Sequence, residues 1–184
     1  MIKTPLDTIL FPKDECPVYE YSPGKYIYAI YKNGYTSIRH SGFKELSLLE
    51  ISKLDSIDLY LREPLERYVS GIQTILYHRE IHDLEYNHVE YLKLNDRYLF
   101  LNRHAVPQFF WLVHLSQFVN DNTVINLKDV SEVYNITNQR RNTATPKAEG
   151  ICERYADNDL LNYYLLADQL LCSLVGQSLT IKQI

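Results

Sequence analysis

Lys32, Gly34, Thr36 and Ser37 fall within six consecutive residues, and together they offer what a bound anion needs. The lysine brings a full charge and the two hydroxyls bring donors. The glycine lets backbone approach a ligand closely. The preceding run from Tyr26, YIYAIY, is rich in Tyr and Ile and flanked by Gly24 and Gly34, so it reads as a buried strand. Ile38, Arg39, Phe43 and Leu46 then follow at spacings a helix can use. Strand, tight turn and helix form the geometry of a phosphate cradle. The first amides of a helix lack intrahelical partners, and partial positive charge gathers there. The stretch is no Walker A loop, since GxxxxGK[ST] is absent. Taken alone, it is read equally well as an ordinary strand-turn-helix with an exposed lysine.

The flanking elements must position these groups. Residues 1–23 carry Pro5, Pro12, Pro17 and Pro23, which exclude one long helix and predict an extended surface arm. SLLEISKL, from Ser47, is a short helix or a loop. SIDLYL, Ser56 to Leu61, alternates and predicts a second strand. Pro64 sits where a first-turn proline belongs, with Glu63 and Glu66 nearby, and Leu65, Tyr68, Val69, Ile72, Ile75 and Leu76 recur at helical spacing. Residues 78–98 are charged and His-rich, a helix plus a surface loop. Val106 to Val119 reads as an apolar helix opening at Pro107, with the Phe109–Leu112 run as core. TVINL, from Thr123, is a third strand, leading into Lys128 to Tyr134. Ile136 to Gly150 is a polar, basic loop, and Ile151 to Leu174 a long helix. Strands alternating with helices predict a parallel α/β sheet.

Arg62, Pro64, Arg67 and Ser70 follow R-x-P-x-x-R-x-x-S at the end of the second strand. This resembles the 3'-phosphate motif of sulfotransferases that use 3'-phosphoadenosine 5'-phosphosulfate (PAPS). The resemblance implies that Arg62 and Ser70 hold the nucleotide's 3'-phosphate. A guanidinium fork and a helix-borne hydroxyl suit that task. Lys32, Asn33, Gly34, Tyr35, Thr36 and Ser37 are then similar to the family's 5'-phosphosulfate loop, with Lys32 at the bridging oxygen and the transferring group. Tyr31 stands where the family often has proline. The segment from Asn102, NRHAVPQ, resembles the HxxPQ segment of the carbohydrate sulfotransferase branch, and YADNDLLNYY, from Tyr155, its closing helix. The basic pair Arg140 and Arg141 reads on its own as a solvated loop, but the resemblance implies that this loop closes over the nucleotide. Arg67 serves either the nucleotide or, the preferred reading, an internal ion pair.

The implied fold is α/β and P-loop NTPase-like, three layers with a short central parallel sheet, spanning residues 1–184 as one domain. The implied reaction moves a sulfuryl group from PAPS to a hydroxyl-bearing acceptor such as a saccharide. Lys32 stabilises the departing phosphate, and His104, or else His40, takes the hydroxyl proton. His104 is equally readable as a helix-capping or core histidine. Two other readings stand beside this one: a P-loop-like nucleotide kinase, and a non-catalytic protein retaining the fold. The kinase lacks a Walker A lysine-serine pair and a clear Mg-binding acid after a strand.

Composition narrows the partners. The net charge of -4 provides no global field for nucleic acid or an anionic membrane, so an anionic ligand needs a local basic pocket. No apolar run approaches the ~20 residues of a membrane span. The start lacks a signal-peptide core, and Cys16, Cys152 and Cys172 form no CxxC pair. A cytoplasmic, reduced setting is the expectation. His78 and His82 stand four apart, but HREIH is not HExxH and has no third ligand, so no metal is expected.

Overall fold

The computed structural model describes residues 16–78, 104, 106–138 and 159–183. These form a mixed sheet of six strands in the order β3-β1-β2-β4-β5-β6. The strands are β1 (Val18–Ser22), β2 (Lys25–Tyr28), β3 (Lys44–Glu45), β4 (Ser56–Leu61), β5 (Val124–Asp129) and β6 (Ser178–Thr180). The helices are α1 (Tyr35–Arg39), α2 (Leu48–Ile51), α3 (Pro64–His78), α4 (Gln108–Leu115), α5 (Ser131–Thr137) and α6 (Asp159–Cys172). A 3-10 turn, Ile181–Gln183, follows β6.

Strands β2, β4 and β5 run parallel, as the alternation of strands and helices predicts. The sheet as a whole does not: β1, β3 and β6 pair antiparallel, so the expected parallel sheet is only the centre of a mixed one. The last part of the expected N-terminal arm is also different. Val18 and Tyr19 are buried within β1 rather than spread over the surface. Pro17 and Pro23 exclude a helix but bracket a strand well, and Gly24, at φ +70°, makes the turn back into β2. The predicted continuation of α1 to Leu46 also fails. Gly42 at φ +74° breaks the chain there, and Lys44–Glu45 turns into the edge strand.

β4 lies between β2 and β5 and is buried on both its faces. Ile57, Leu59 and Leu61 pack on one face with Trp111, Leu112 and Leu115 of α4 and Leu171 of α6. Tyr60 packs on the other, with Ile27, Tyr35 and Ile38 of the α1 side and Val133 of α5. Helices therefore cover both faces, and each fully buried aliphatic contributes about 1.5–3 kcal/mol over exposure. Ser47 opens α2 with a reciprocal capping box to Glu50. Glu63 accepts from the amides of Leu65 and Glu66, which fixes the start of α3 straight after β4.

The predicted segment 78–98 (beyond His78 itself), Arg140 and Arg141, and the first part of the predicted C-terminal helix lie outside the described residues. Among the described residues no helix is long and apolar enough to cross a membrane.

Candidate functional site

Ligand sites in open α/β sheets lie at the carboxyl ends of parallel strands, where neighbouring strands part. Here β2 and β4 pair only at Ile27↔Asp58 and Tyr28↔Leu59 and then diverge. β2 leads into the turn at residues 31–34, while β4 leads into Arg62 and α3. Above that split is a cavity of about 300 Å³, at the lower end of ordinary ligand pockets.

Both predicted anion stretches converge on it. Lys32, Gly34, Tyr35, Thr36 and Ser37 line one side, and Arg62 and Ser70 line the other. His104 lines it too, as do Tyr31, Arg39, Thr74 and Tyr134. The two halves touch directly, since the Arg62 guanidinium donates to the Lys32 carbonyl at 3.5 Å. Among the described residues, none that lines the cavity is acidic. The positive charge is thus local, as the overall charge of -4 required.

The loop takes an unusual backbone path. Lys32 has φ +70° and Gly34 φ +82°. A Cβ on Gly34 would meet Val133 Cγ1 at 2.8 Å, so close packing against α5 as well as the turn demands glycine. An aromatic column holds the loop's first residue. Tyr31 stacks on Tyr35 at 4.1 Å and on Trp111 at 5.5 Å, with His104 edge-on at 5.0 Å. α1 has only five residues, so its dipole is small and the side-chain cations dominate the field.

Lys32 Nζ donates to the Thr74 hydroxyl at 2.6 Å. Burial, with the Arg62 and Arg67 charges beside it, pulls its pKa down to about 8. Arg62 Nε pairs with Glu66 at 3.2 Å, a carboxylate that is more than half exposed. Such a partner competes weakly with a ligand, because exposed ion pairs contribute little.

Three candidates sit elsewhere. Asn33 is buried and does not line the cavity; its amide donates to Tyr60 O at 2.8 Å and to Gln108 Oε1. His40 is exposed at the end of α1, away from the lining. Arg67 is buried and donates to the Val106 carbonyl. Its charge also acts on buried Asp168, whose carboxyl burial nevertheless pushes up.

Arg39, Thr74 and Tyr134 escaped the sequence reading. Spacing held a signal for two of them, since Thr74 is one turn beyond Ser70 on α3 and Arg39 one turn beyond Thr36. Gln108 was legible as part of the HxxPQ segment but without a role. No group of three or more His, Cys, Asp or Glu gathers in metal-binding fashion among the described residues. No protein-family model, curated protein or solved structure matches the chain.

Proposed function

We propose that this chain is a PAPS-dependent sulfotransferase acting on a hydroxyl-bearing acceptor such as a saccharide. One observation carries the reading: Lys32 and Arg62, thirty residues apart, line one cavity together with Ser37, Ser70 and His104, and no described residue of its lining is acidic. The parallel β2-β4-β5 centre with its site at the strand ends supports a P-loop NTPase-like assignment of the fold.

The residues fit such a ligand. Two half-buried cations face a cavity whose described lining offers hydroxyls but no carboxylate, and the strained charge of Lys32 is relieved by a dianion. When bound, PAPS supplies a sulfuryl group on a phosphosulfate anhydride. Lys32, Gly34, Thr36 and Ser37 hold its 5' end, and Arg62 and Ser70 its 3'-phosphate. Lys32 Nζ, free to leave Thr74, neutralises charge on the departing phosphate oxygen. A His104 ring nitrogen accepts the proton of the attacking hydroxyl. The aromatic column keeps the His104 ring beside the loop.

The test is thermal melting with adenosine 3',5'-bisphosphate. At a hundred times Kd it stabilises by about 2.7 kcal/mol, or roughly 5–10 °C for a chain of this size. ATP with magnesium does little. A larger shift with ATP and magnesium favours the kinase, and no shift with either favours a non-catalytic protein.

Lys32 adds a pH signature. Its folded pKa, about 8, lies below the ordinary lysine value, so the free site loses its cation as pH rises through 8. Bound phosphate favours the cation and raises that pKa. Affinity for the bisphosphate is therefore flat from about pH 7 to 8 and falls above that, by up to about tenfold per pH unit. Calorimetric titration from pH 7 to pH 9.5 checks this. In Lys32→Met the fall disappears.

A further inference from the structure

We infer that Gln108 is the positioning residue that fixes the distance between the two anion-binding halves of the cavity. This rests on the two-phosphate reading above.

The need for such a residue follows from the parting of β2 and β4. On the β5 side, Leu61 O accepts from Val130 N at 2.8 Å. Strand groups alternate in direction, so the Tyr60 carbonyl and both backbone groups of Arg62 face the side that β2 has left. Buried backbone groups must find partners. Two side-chain amides replace the missing strand.

Gln108 Nε2 donates to Arg62 O at 2.8 Å, and Gln108 Oε1 accepts from Arg62 N at 2.9 Å. One side chain thus holds both backbone groups of the residue whose guanidinium lines the cavity. The same Oε1 accepts from Asn33 Nδ2, and Asn33 Nδ2 also donates to Tyr60 O at 2.8 Å. Asn33 is bonded in the chain to Lys32 on one side and Gly34 on the other. Gln108 is therefore shared between the loop half and the arginine half of the site.

Its own position is set from behind. Gln108 is fully buried, and its backbone N–H donates to Asp168 Oδ2 at 2.7 Å. Phe109 N donates to the other carboxylate oxygen at 2.8 Å. Asp168 belongs to α6, so three separate chain segments and a helix meet at one amide. Hydrogen-bonded side-chain amides in such low-dielectric surroundings rigidify what they join.

A ligand that spans both halves gains from a fixed separation, because the spacing need not be ordered on binding. A ligand that uses one half gains nothing. The experiment measures calorimetric affinity for adenosine 3',5'-bisphosphate, adenosine 5'-monophosphate and adenosine 3'-monophosphate in the wild type and in Gln108→Leu, below the melting temperature of each. The bisphosphate should lose roughly tenfold or more, while each monophosphate loses less than about threefold. Should Gln108→Leu fail to fold, Asn33→Ala frees the loop half alone. It should weaken the bisphosphate and the 5'-monophosphate while sparing the 3'-monophosphate.

Equal losses for all three nucleotides, or no loss, would overturn the inference while leaving the two-phosphate site in place. If the wild type binds no bisphosphate, the proposed function and this inference fall together.

Discussion

Arg62→Ala will bind adenosine 3',5'-bisphosphate about a hundredfold more weakly while melting, without ligand, close to the wild type. A guanidinium fork on a phosphate makes two charge-assisted hydrogen bonds, each about 1.5–3 kcal/mol, and the phosphate left behind finds water only in part. In the free protein the same group does little for stability. Its ion pair with Glu66 reaches a half-exposed carboxylate at 3.2 Å, and its contact with Lys32 O is long at 3.5 Å. The backbone of Arg62, held by Gln108, is untouched by the change. At a ligand concentration that stabilises the wild type by about 2.7 kcal/mol, the variant retains about 0.4 kcal/mol, roughly 1 °C. Arg62→Lys falls between them, because a point charge replaces the fork. Unchanged bisphosphate binding in Arg62→Ala would remove this residue from the site.

Asp168→Ala will destabilise the fold by about 3–5 kcal/mol, because two helix-start amides lose a charged acceptor and each such bond contributes about 1.5–3 kcal/mol. Asp168 is fully buried. Both its oxygens accept first-turn amides of α4, from Gln108 at 2.7 Å and from Phe109 at 2.8 Å. Those amides have no intrahelical partner to fall back on. Arg67, also buried, loses the anion whose titration it influences. Asp168→Asn loses less, about 1–3 kcal/mol, because one oxygen still accepts while the new NH₂ faces an N–H. Urea unfolding at fixed pH checks both. A midpoint for Asp168→Ala close to the wild type's would mean that α4 is held by packing alone. Low ligand affinity in the surviving folded fraction would further tie α6 to the cavity through Gln108.

The parts of the site that sequence made legible are those carried by short-range chemistry. Gly34, next to Lys32 and two hydroxyls, marks a tight anion-friendly turn because a left-handed turn rewards glycine wherever it occurs. Pro64 after SIDLYL marks a strand passing into a helix, because proline suits a first helical turn and no later one. Asn33 shows the limit. Its neighbours in the loop face the cavity, and adjacency alone placed it with them. Only the parting of β2 and β4 turns it inward, toward carbonyls that need a donor.

By itself, then, the order of residues determined the local pieces: the apolar strand before the loop, the strand before Arg62, the helix that carries Ser70 and Thr74, and the apolar helix after Pro107. Tertiary structure alone decided which pieces meet. It made β1 a buried strand, added β6, turned Asn33 and Gln108 into a substitute for a missing strand, and brought Lys32 within reach of Arg62. The reason is that turn and period preferences act over a few residues. Strand pairing and the satisfaction of buried polar groups are settled between segments far apart in the chain.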